Sequence, residues 1–359
     1  MRTFAALHMY EHEPFMQRCL ELAARGAGWV APNPMVGAVL VHGNRIIGEG
    51  WHRRFGGPHA EVHCLQSVAA ADRHFIPDST LYVSLEPCAH YGKTPPCSLL
   101  IRQSGIKQVV VGCADPFEEV NGKGIADLKA AGIAVQLSAL ETQCRELNRR
   151  FFTFHEKKRP YIILKWAQTA DGFMGTGTQQ RLHISHAVTN LLVHRWRSEE
   201  ASILVGSQTA LLDDPLLTNR SGVGLQPVRL VFDRHLQLPA HLRLFNNDAP
   251  TVVLNYVKQQ AAGQPAYVQL DAAKPVPQAI AAALHTLQLQ SVLVEGGARL
   301  LQAFLQAGLF DEIRMITNES LHAETGIKAP TLPAALRHVS TEQLGTDTIT
   351  IWRNTENKL

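Results

Sequence analysis

Two α/β domains in series are what this sequence predicts, and three observations carry the expectation. A chain of 359 residues is longer than most single domains and can bury two cores. All six cysteines (Cys19, Cys64, Cys88, Cys97, Cys113 and Cys144) fall in the first part of the chain, a compositional break that separates it from the rest. Helix-like and strand-like periodicities alternate, and the alternation restarts after Pro160. The expected domains are residues 1–150 and 158–357. The charge run "FFTFHEKKRP", which ends in Pro160, is the expected linker.

The elements follow in order. From Glu13, "EPFMQRCLELAARG" has a helical apolar face closed by Gly26. Nothing before Met9 shows such a face, so residues 1–8 are expected to be a dispensable extension. "MVGAVLV" is a buried strand that returns through "HGN" into "RIIGEG". Pro58, a favoured first-turn residue, opens a helix, and the strand "TLYVSL" comes next. A helix over about Ser98 to Ser104, the strand "QVVVGC", the helix "GKGIADLKAAG" and the strand "IAVQL" complete the first set. In the second set "YIILKWAQ" is a strand, "SHAVTNLLVHRWRSE" a helix, and "ASILVGS", "VRLVFD" and "TVVLN" are strands. "QAIAAALHTL" is helical, as is "ARLLQAFLQAG", with the strand "SVLVEGG" between them. "DEIRMIT" and "TITIWR" are the last strands.

Composition narrows the function classes. With 45% hydrophobic and 18% charged residues the chain is globular rather than disordered, and a net charge of +3 leaves no basic stripe for a nucleic-acid backbone. No apolar run approaches the ~20 residues that span a bilayer. "TFAALHMY" followed by "EHE" is not a secretory signal, so the expected location is the cytoplasm. In that reducing compartment cysteines are by default small buried residues, and Cys19, Cys64, Cys113 and Cys144 sit in patterns that fit.

Cys88 and Cys97 do not. Both follow a proline in "EPCAHYGKTPPC", and upstream "PHAEVHCL" places His59 two residues before Glu61. A bare His-x-Glu is common on solvated helix faces. One histidine and two thiolates, however, make a three-ligand zinc site with the fourth tetrahedral position open to water, the mark of a catalytic rather than a structural ion. The water becomes a hydroxide nucleophile near neutral pH, and an adjacent carboxylate, Glu61, can carry its proton to a leaving amine. His63 and Cys64 would project from the helix away from His59. His-x-Glu followed by Pro-Cys and a second Cys is the signature of zinc-dependent nucleobase deaminases. The usual Pro-Cys-x-x-Cys spacing is widened here, with eight residues between the cysteines.

"CAHYGKTPPC" and "PNPMVGAVLV" give the chain a more specific likeness: it resembles the bifunctional deaminase/reductase family of riboflavin biosynthesis over nearly its whole length. The resemblance implies a cytidine-deaminase-like three-layer domain followed by a dihydrofolate-reductase-like α/β domain. The first would hold one zinc per chain and remove the 2-amino group of a diaminohydroxypyrimidine carrying a phosphoribosylamino substituent. Asn33, His52, His90 and Lys93 would hold the pyrimidine and its phosphate. The second domain would use NADPH to reduce the ring-opened ribose at C1′ to a ribityl group.

Residue-level support for the second domain is a glycine pair between a strand and a helix start in "SVLVEGGARL", where free backbone N–H groups favour an anion. Such a pair is more often plain turn chemistry. No G-x-G-x-x-G occurs, so a Rossmann site is not indicated. By resemblance of "LKWAQTADG", "VHRWRSEEASILVGSQTALLDDPLLTNR" and "VEGG" to the family's reductase motifs, Lys165, Arg197, Leu217, Arg220 and Glu295 would contact substrate. Arg197 and Arg220 suit its phosphate. Ala167, His183, Thr209, Asp213 and Gly297 would border the cofactor. "RLHISH" departs from the family pattern, which has a serine and a tryptophan where Arg181 and His183 stand.

The partners implied are small phosphoribosylated pyrimidines, with no nucleic acid and no membrane, and a homo-oligomer remains open. A nucleic-acid deaminase fused to an RNA-binding module fits the low net charge less well. A non-catalytic zinc scaffold would have no use for Glu61.

Overall fold

The computed structural model describes residues 4–89, 91, 95–118, 120–138, 140–176 and 182–357, with side chains from His12 onward. His90, Lys93 and Arg181 lie outside the described residues. The chain divides into two compact units, residues 1–157 and 158–358.

The first unit runs α1 (Phe4–Ala24), β1 (Gly37–His42), β2 (Arg45–Trp51), α2 (Ala60–Gln66), β3 (Thr80–Val83), α3 (Cys97–Gln103), β4 (Gln108–Val111), α4 (Lys123–Ala130), β5 (Ala134–Leu137), α5 (Glu141–Leu147) and α6 (Arg149–Lys157). The sheet order is β2-β1-β3-β4-β5. β1 is antiparallel to both β2 and β3, while β3, β4 and β5 are parallel. Alternation along the strands makes the three layers. Ala38, Leu40, Leu81, Val83, Val109 and Val111 face Ala60 and Cys64 of α2, Ile101 of α3 and Leu128 of α4. Val39, Val41, Tyr82 and Val110 face Met16 and Cys19 of α1, Cys144 of α5 and Phe151 and Phe152 of α6. Cys19, Cys64, Cys113 and Cys144 are all fully buried, as small apolar core residues.

Two expectations are corrected here. The expected linker is mostly the helix α6, in which Phe151, Phe152, Thr153 and Phe154 are buried. Glu156 marks its solvent face, while burial of each aromatic ring contributes about 1.5–3 kcal/mol. The first helix begins at Phe4 rather than Glu13, so the backbone of residues 4–8 of the expected extension is part of α1.

The second unit runs β6 (Tyr161–Thr169), β7 (Phe173–Gly175), α7 (Ala187–Glu199), β8 (Ser202–Gly206), α8 (Ser207–Asp213), β9 (Val228–Phe232), β10 (Thr251–Asn255), β11 (Ala266–Gln269), α9 (Val276–Thr286), β12 (Ser291–Gly296), α10 (Ala298–Gln306), β13 (Glu312–Asn318), β14 (Ile327–Lys328), β15 (Leu336–Leu344) and β16 (Asp347–Asn354). Its nine-stranded sheet has the order β11-β10-β9-β8-β12-β6-β13-β16-β15. It is parallel from β11 through β13, and β16 and β15 close it antiparallel. One face packs on α9 and α10 through Ile280, Leu284, Leu301 and Phe304. The other packs on α7 through Val193 and Trp196 and on α8 through Ala210.

The strands β7, β11, β14 and β15 and the helix α8 were not expected from periodicity. β15 is exposed on both faces along nearly its whole length and β14 has two residues, so neither carries a buried-face pattern to read. The chain leaves β6, builds β8 to β11 outward, and returns to insert β12 between β8 and β6. That order gathers the C-terminal ends of β6, β8 and β12, where an open parallel sheet presents its ligand crevice.

Candidate active sites

His59 is the N-cap of α2, with an extended backbone and no capping hydrogen bond from its side chain, so its ring is free to turn toward Cys88 and Cys97. Its Nδ1 lies 3.6 Å from Cys88 Sγ and 3.3 Å from Cys97 Sγ. Tetrahedral zinc at its usual bond lengths sets N···S edges at roughly 3.5 Å, so this donor set fits that ion. Among the described residues, His59, Cys88 and Cys97 are the His/Cys/Asp/Glu group able to hold a metal.

Cys97 is the first residue of α3, and its backbone N–H donates to Cys88 Sγ at 3.3 Å. The Cys97 side chain holds the Cys88 thiol well below its usual value against the opposing pull of burial. A helix N-terminus that stabilises a thiolate prepares it as a ligand. Glu61, the second residue of α2, is 3% exposed. Burial raises its pKa, and the neighbouring Cys88 adds to the rise. A carboxylate so placed takes up a proton readily.

Asn33 and His52 join this group. His52 is buried; its Nδ1 donates to the Pro58 carbonyl at 3.0 Å, which leaves Nε2 to accept from Asn33 Nδ2 at 3.2 Å. Burial lowers the His52 pKa, in keeping with that neutral tautomer. Its ring stands edge-on to His59, with centroids 5.5 Å apart.

One support of this site was missed in the sequence. Glu86, directly before Pro87-Cys88, is buried and accepts from the backbone N–H groups of Asp115, Gly122 and Ile125 at 3.2, 3.0 and 3.0 Å. Gly124 is required beside it, because a Cβ there would meet the Pro87 carbonyl oxygen at 1.9 Å. The glutamate in "EPC" was the available signal.

In the second unit Lys165 on β6, Glu295 on β12 and Arg197 on α7 form one cluster. Arg197 Nε and Nη2 donate to the two carboxylate oxygens of Glu295 at 2.8 and 2.6 Å, and Nη1 donates to the Thr218 carbonyl at 3.3 Å. Burial would raise the Glu295 pKa, yet Arg197 and Lys165 pull it down to about 2. The guanidinium fork of Arg197 is therefore engaged by Glu295, and Arg220 beyond the same loop is exposed. The backbone N–H of Arg220 donates to His194 Nδ1 at 3.3 Å. His194 was also missed, although it stands one turn before Arg197 on the same helix. Leu217, buried in a left-handed conformation, precedes Thr218 on this loop.

Thr209 and Gly297 meet across the ends of β8 and β12, where a Cβ on Gly297 would come within 2.8 Å of Thr209 Oγ1. Ala167 lies on β6 opposite Ile316 of β13. Asp213 ends α8, exposed. His183 is exposed on the segment before α7 and makes no hydrogen bond to another candidate residue among the described residues.

The Glu295 pKa has a consequence for pH. A carboxylate held at about 2 when folded, against an ordinary 4.5, contributes stability that is complete above pH 4.5 and drains as pH falls toward 2. Acid titration followed by the fluorescence of Trp166, Trp196 and Trp352 should show the second unit losing stability across that window. Glu295→Gln should flatten the slope, and an unchanged slope would mean that the pair does not set it.

Both units match families of known proteins. Residues 9–113 match the cytidine and deoxycytidylate deaminase zinc-binding region, and residues 160–350 match the RibD C-terminal domain. The riboflavin biosynthesis protein RibD of Aquifex aeolicus is 38% identical over 350 residues, covering 94% of this chain and 97% of its own. That of Escherichia coli is 33% identical, covering 84% and 86%. A crystal structure from Thermotoga maritima, a diaminohydroxyphosphoribosylaminopyrimidine deaminase/5-amino-6-(5-phosphoribosylamino)uracil reductase, superposes with a TM-score of 0.86 at 34% identity over 97% of this chain and 99% of its own. RibD of Acinetobacter baumannii superposes with a TM-score of 0.87 at 32% identity, over 97% and 99%. Matched in both halves and over nearly its full length, the chain belongs to the RibD family of bifunctional deaminase–reductases of riboflavin biosynthesis.

Proposed function

We propose that the first unit removes the 2-amino group of the diaminohydroxypyrimidine ribotide through Glu61 beside a zinc held by His59, Cys88 and Cys97. We propose further that the second unit reduces the ribosyl group of the product to ribityl with NADPH. The observation that carries the reading is a three-ligand set of zinc-like dimensions with a buried carboxylate against it. Zinc, when bound, supplies the acidity that makes water a nucleophile at neutral pH. Glu61 would carry one proton of the water to the ring nitrogen and the other to the amine, which departs as ammonia; its raised pKa suits both transfers. Asn33 and the neutral His52 orient the pyrimidine, with His90 and Lys93 assigned to the same substrate by resemblance.

In the second unit NADPH, when bound, supplies a hydride to C1′. Lys165, Glu295 and Leu217 hold the ring-opened sugar, Arg220 takes its phosphate, and Arg197 keeps Glu295 ionised and in place. Thr209, Gly297, Ala167, Asp213 and His183 border the cofactor. The substrates are small molecules, and the proposed location is the cytoplasm; no helix among the described residues is long and apolar enough to cross a membrane. We propose no nucleic-acid or membrane partner and leave a homo-oligomer open.

Incubating the protein with the diaminopyrimidine ribotide and NADPH should yield first a product in which oxygen replaces the amino group, then one two hydrogens heavier. Mass analysis that finds neither would overturn the reading. The cofactor assignment has its own test in Gly297→Val, whose Cβ would meet the Thr209 hydroxyl at 2.8 Å. Loss of one charge-assisted phosphate contact corresponds to roughly tenfold weaker NADPH binding in a fluorescence titration. Unchanged affinity would remove the phosphate from this turn.

A further inference from the structure

We propose that Asn148, at the junction of α5 and α6, is a positioning residue for the deaminase pocket. The proposal rests on the reading of Asn33 and His52 as substrate contacts. Asn148 is 2% exposed. Its Nδ2 donates to the Met35 carbonyl at 2.8 Å, and its Oδ1 accepts from the Met35 N–H at 2.8 Å. One side-chain amide thus takes both backbone groups of Met35, as a residue on a neighbouring strand would. Among protein side chains only a carboxamide offers a donor and an acceptor in that side-by-side geometry. Asp lacks the donor, and Gln carries an added methylene.

Met35 lies two residues beyond Asn33 in "PNPMVG". The segment is held at its far end where the Gly37 N–H donates to Ser84 Oγ at 3.1 Å, and Gly37 packs so closely that a Cβ would meet the Cys19 carbonyl oxygen at 2.0 Å. At its near end the Asn33 N–H donates to the Val30 carbonyl at 2.8 Å. Between these points the Asn148 amide anchors the backbone. From there the order passes through Asn33 Nδ2 to His52 Nε2, and through His52 Nδ1 to the carbonyl of Pro58, the residue before His59. A residue far along the chain therefore sets the place of the groups that meet the pyrimidine without touching the metal ligands.

The test compares Asn148→Asp, Asn148→Leu and Asn33→Ala in the full chain, measuring deaminase KM and kcat, zinc per chain, and reduction of supplied deaminated substrate. Asn148→Asp keeps the acceptor and the shape but turns the lost donor into a repulsion against the Met35 carbonyl. Its KM for the ribotide should rise roughly tenfold, the value of one buried hydrogen bond, while kcat, zinc content and reduction stay near wild type. Asn148→Leu should raise KM at least as far. Loss of zinc, or an equal fall in both activities, in Asn148→Asp would make Asn148 a general support of the fold and overturn the proposal. If Asn33→Ala raises KM and Asn148→Asp does not, the clamp is refuted while the pocket reading stands. If Asn33→Ala has no effect, the pocket reading fails and the proposal falls with it.

Discussion

Cys88→Ser is expected to abolish deamination and to empty the metal site, while reduction of supplied deaminated substrate continues at close to the wild-type rate. Serine is nearly the size of cysteine, so packing is preserved. Its hydroxyl is a far weaker zinc ligand than a thiolate and is not ionised near neutral pH. The remaining His59 and Cys97 are too few to hold a catalytic ion. Metal analysis should fall from about one zinc per chain to background. Because Cys88 belongs to the first unit and Lys165, Arg197 and Glu295 to the second, the damage should stop at the unit boundary. Equal loss of both activities from a folded protein would show that the two units do not work independently.

Glu61→Gln separates the proton shuttle from the metal. The amide keeps the shape of the buried side chain but neither accepts a proton from water nor delivers one to the leaving amine. Deamination should drop by about 10²-fold or more, the usual loss when an acid/base group is removed, with zinc content unchanged. Turnover near the wild-type rate would assign the proton transfer to another group. Loss of zinc together with activity would instead make Glu61 a support for the ligands.

The metal site was legible in the sequence because its parts are short-range and chemically rare. His59 and Glu61 share one helix start, and the two cysteines bracket one loop, so residue order alone names them. What holds the site was hidden. Glu86 acts by accepting backbone N–H groups of Asp115, Gly122 and Ile125, far along the chain. Asn148 looks in sequence like an ordinary polar residue beside an expected linker, and its partner Met35 can be identified only in space. The expected linker itself misled because charge on a helix's outer face is visible in a string of letters, whereas the buried side of Phe151, Phe152 and Phe154 is not.

The sequence by itself determined the α/β class, the alternation of most strands and helices, and the candidate ligands His59, Cys88 and Cys97 with Glu61 beside them, since these follow from local periodicity and from side-chain chemistry at short spacing. Only the tertiary structure decided that α6 is core, that β12 inserts between β8 and β6, and that Arg197 spends its guanidinium on Glu295. The physical reason is common to all three. Burial, strand order and the pairing of charges depend on which surfaces come together, and a buried carboxylate such as Glu295 claims the nearest cation whatever its distance along the chain.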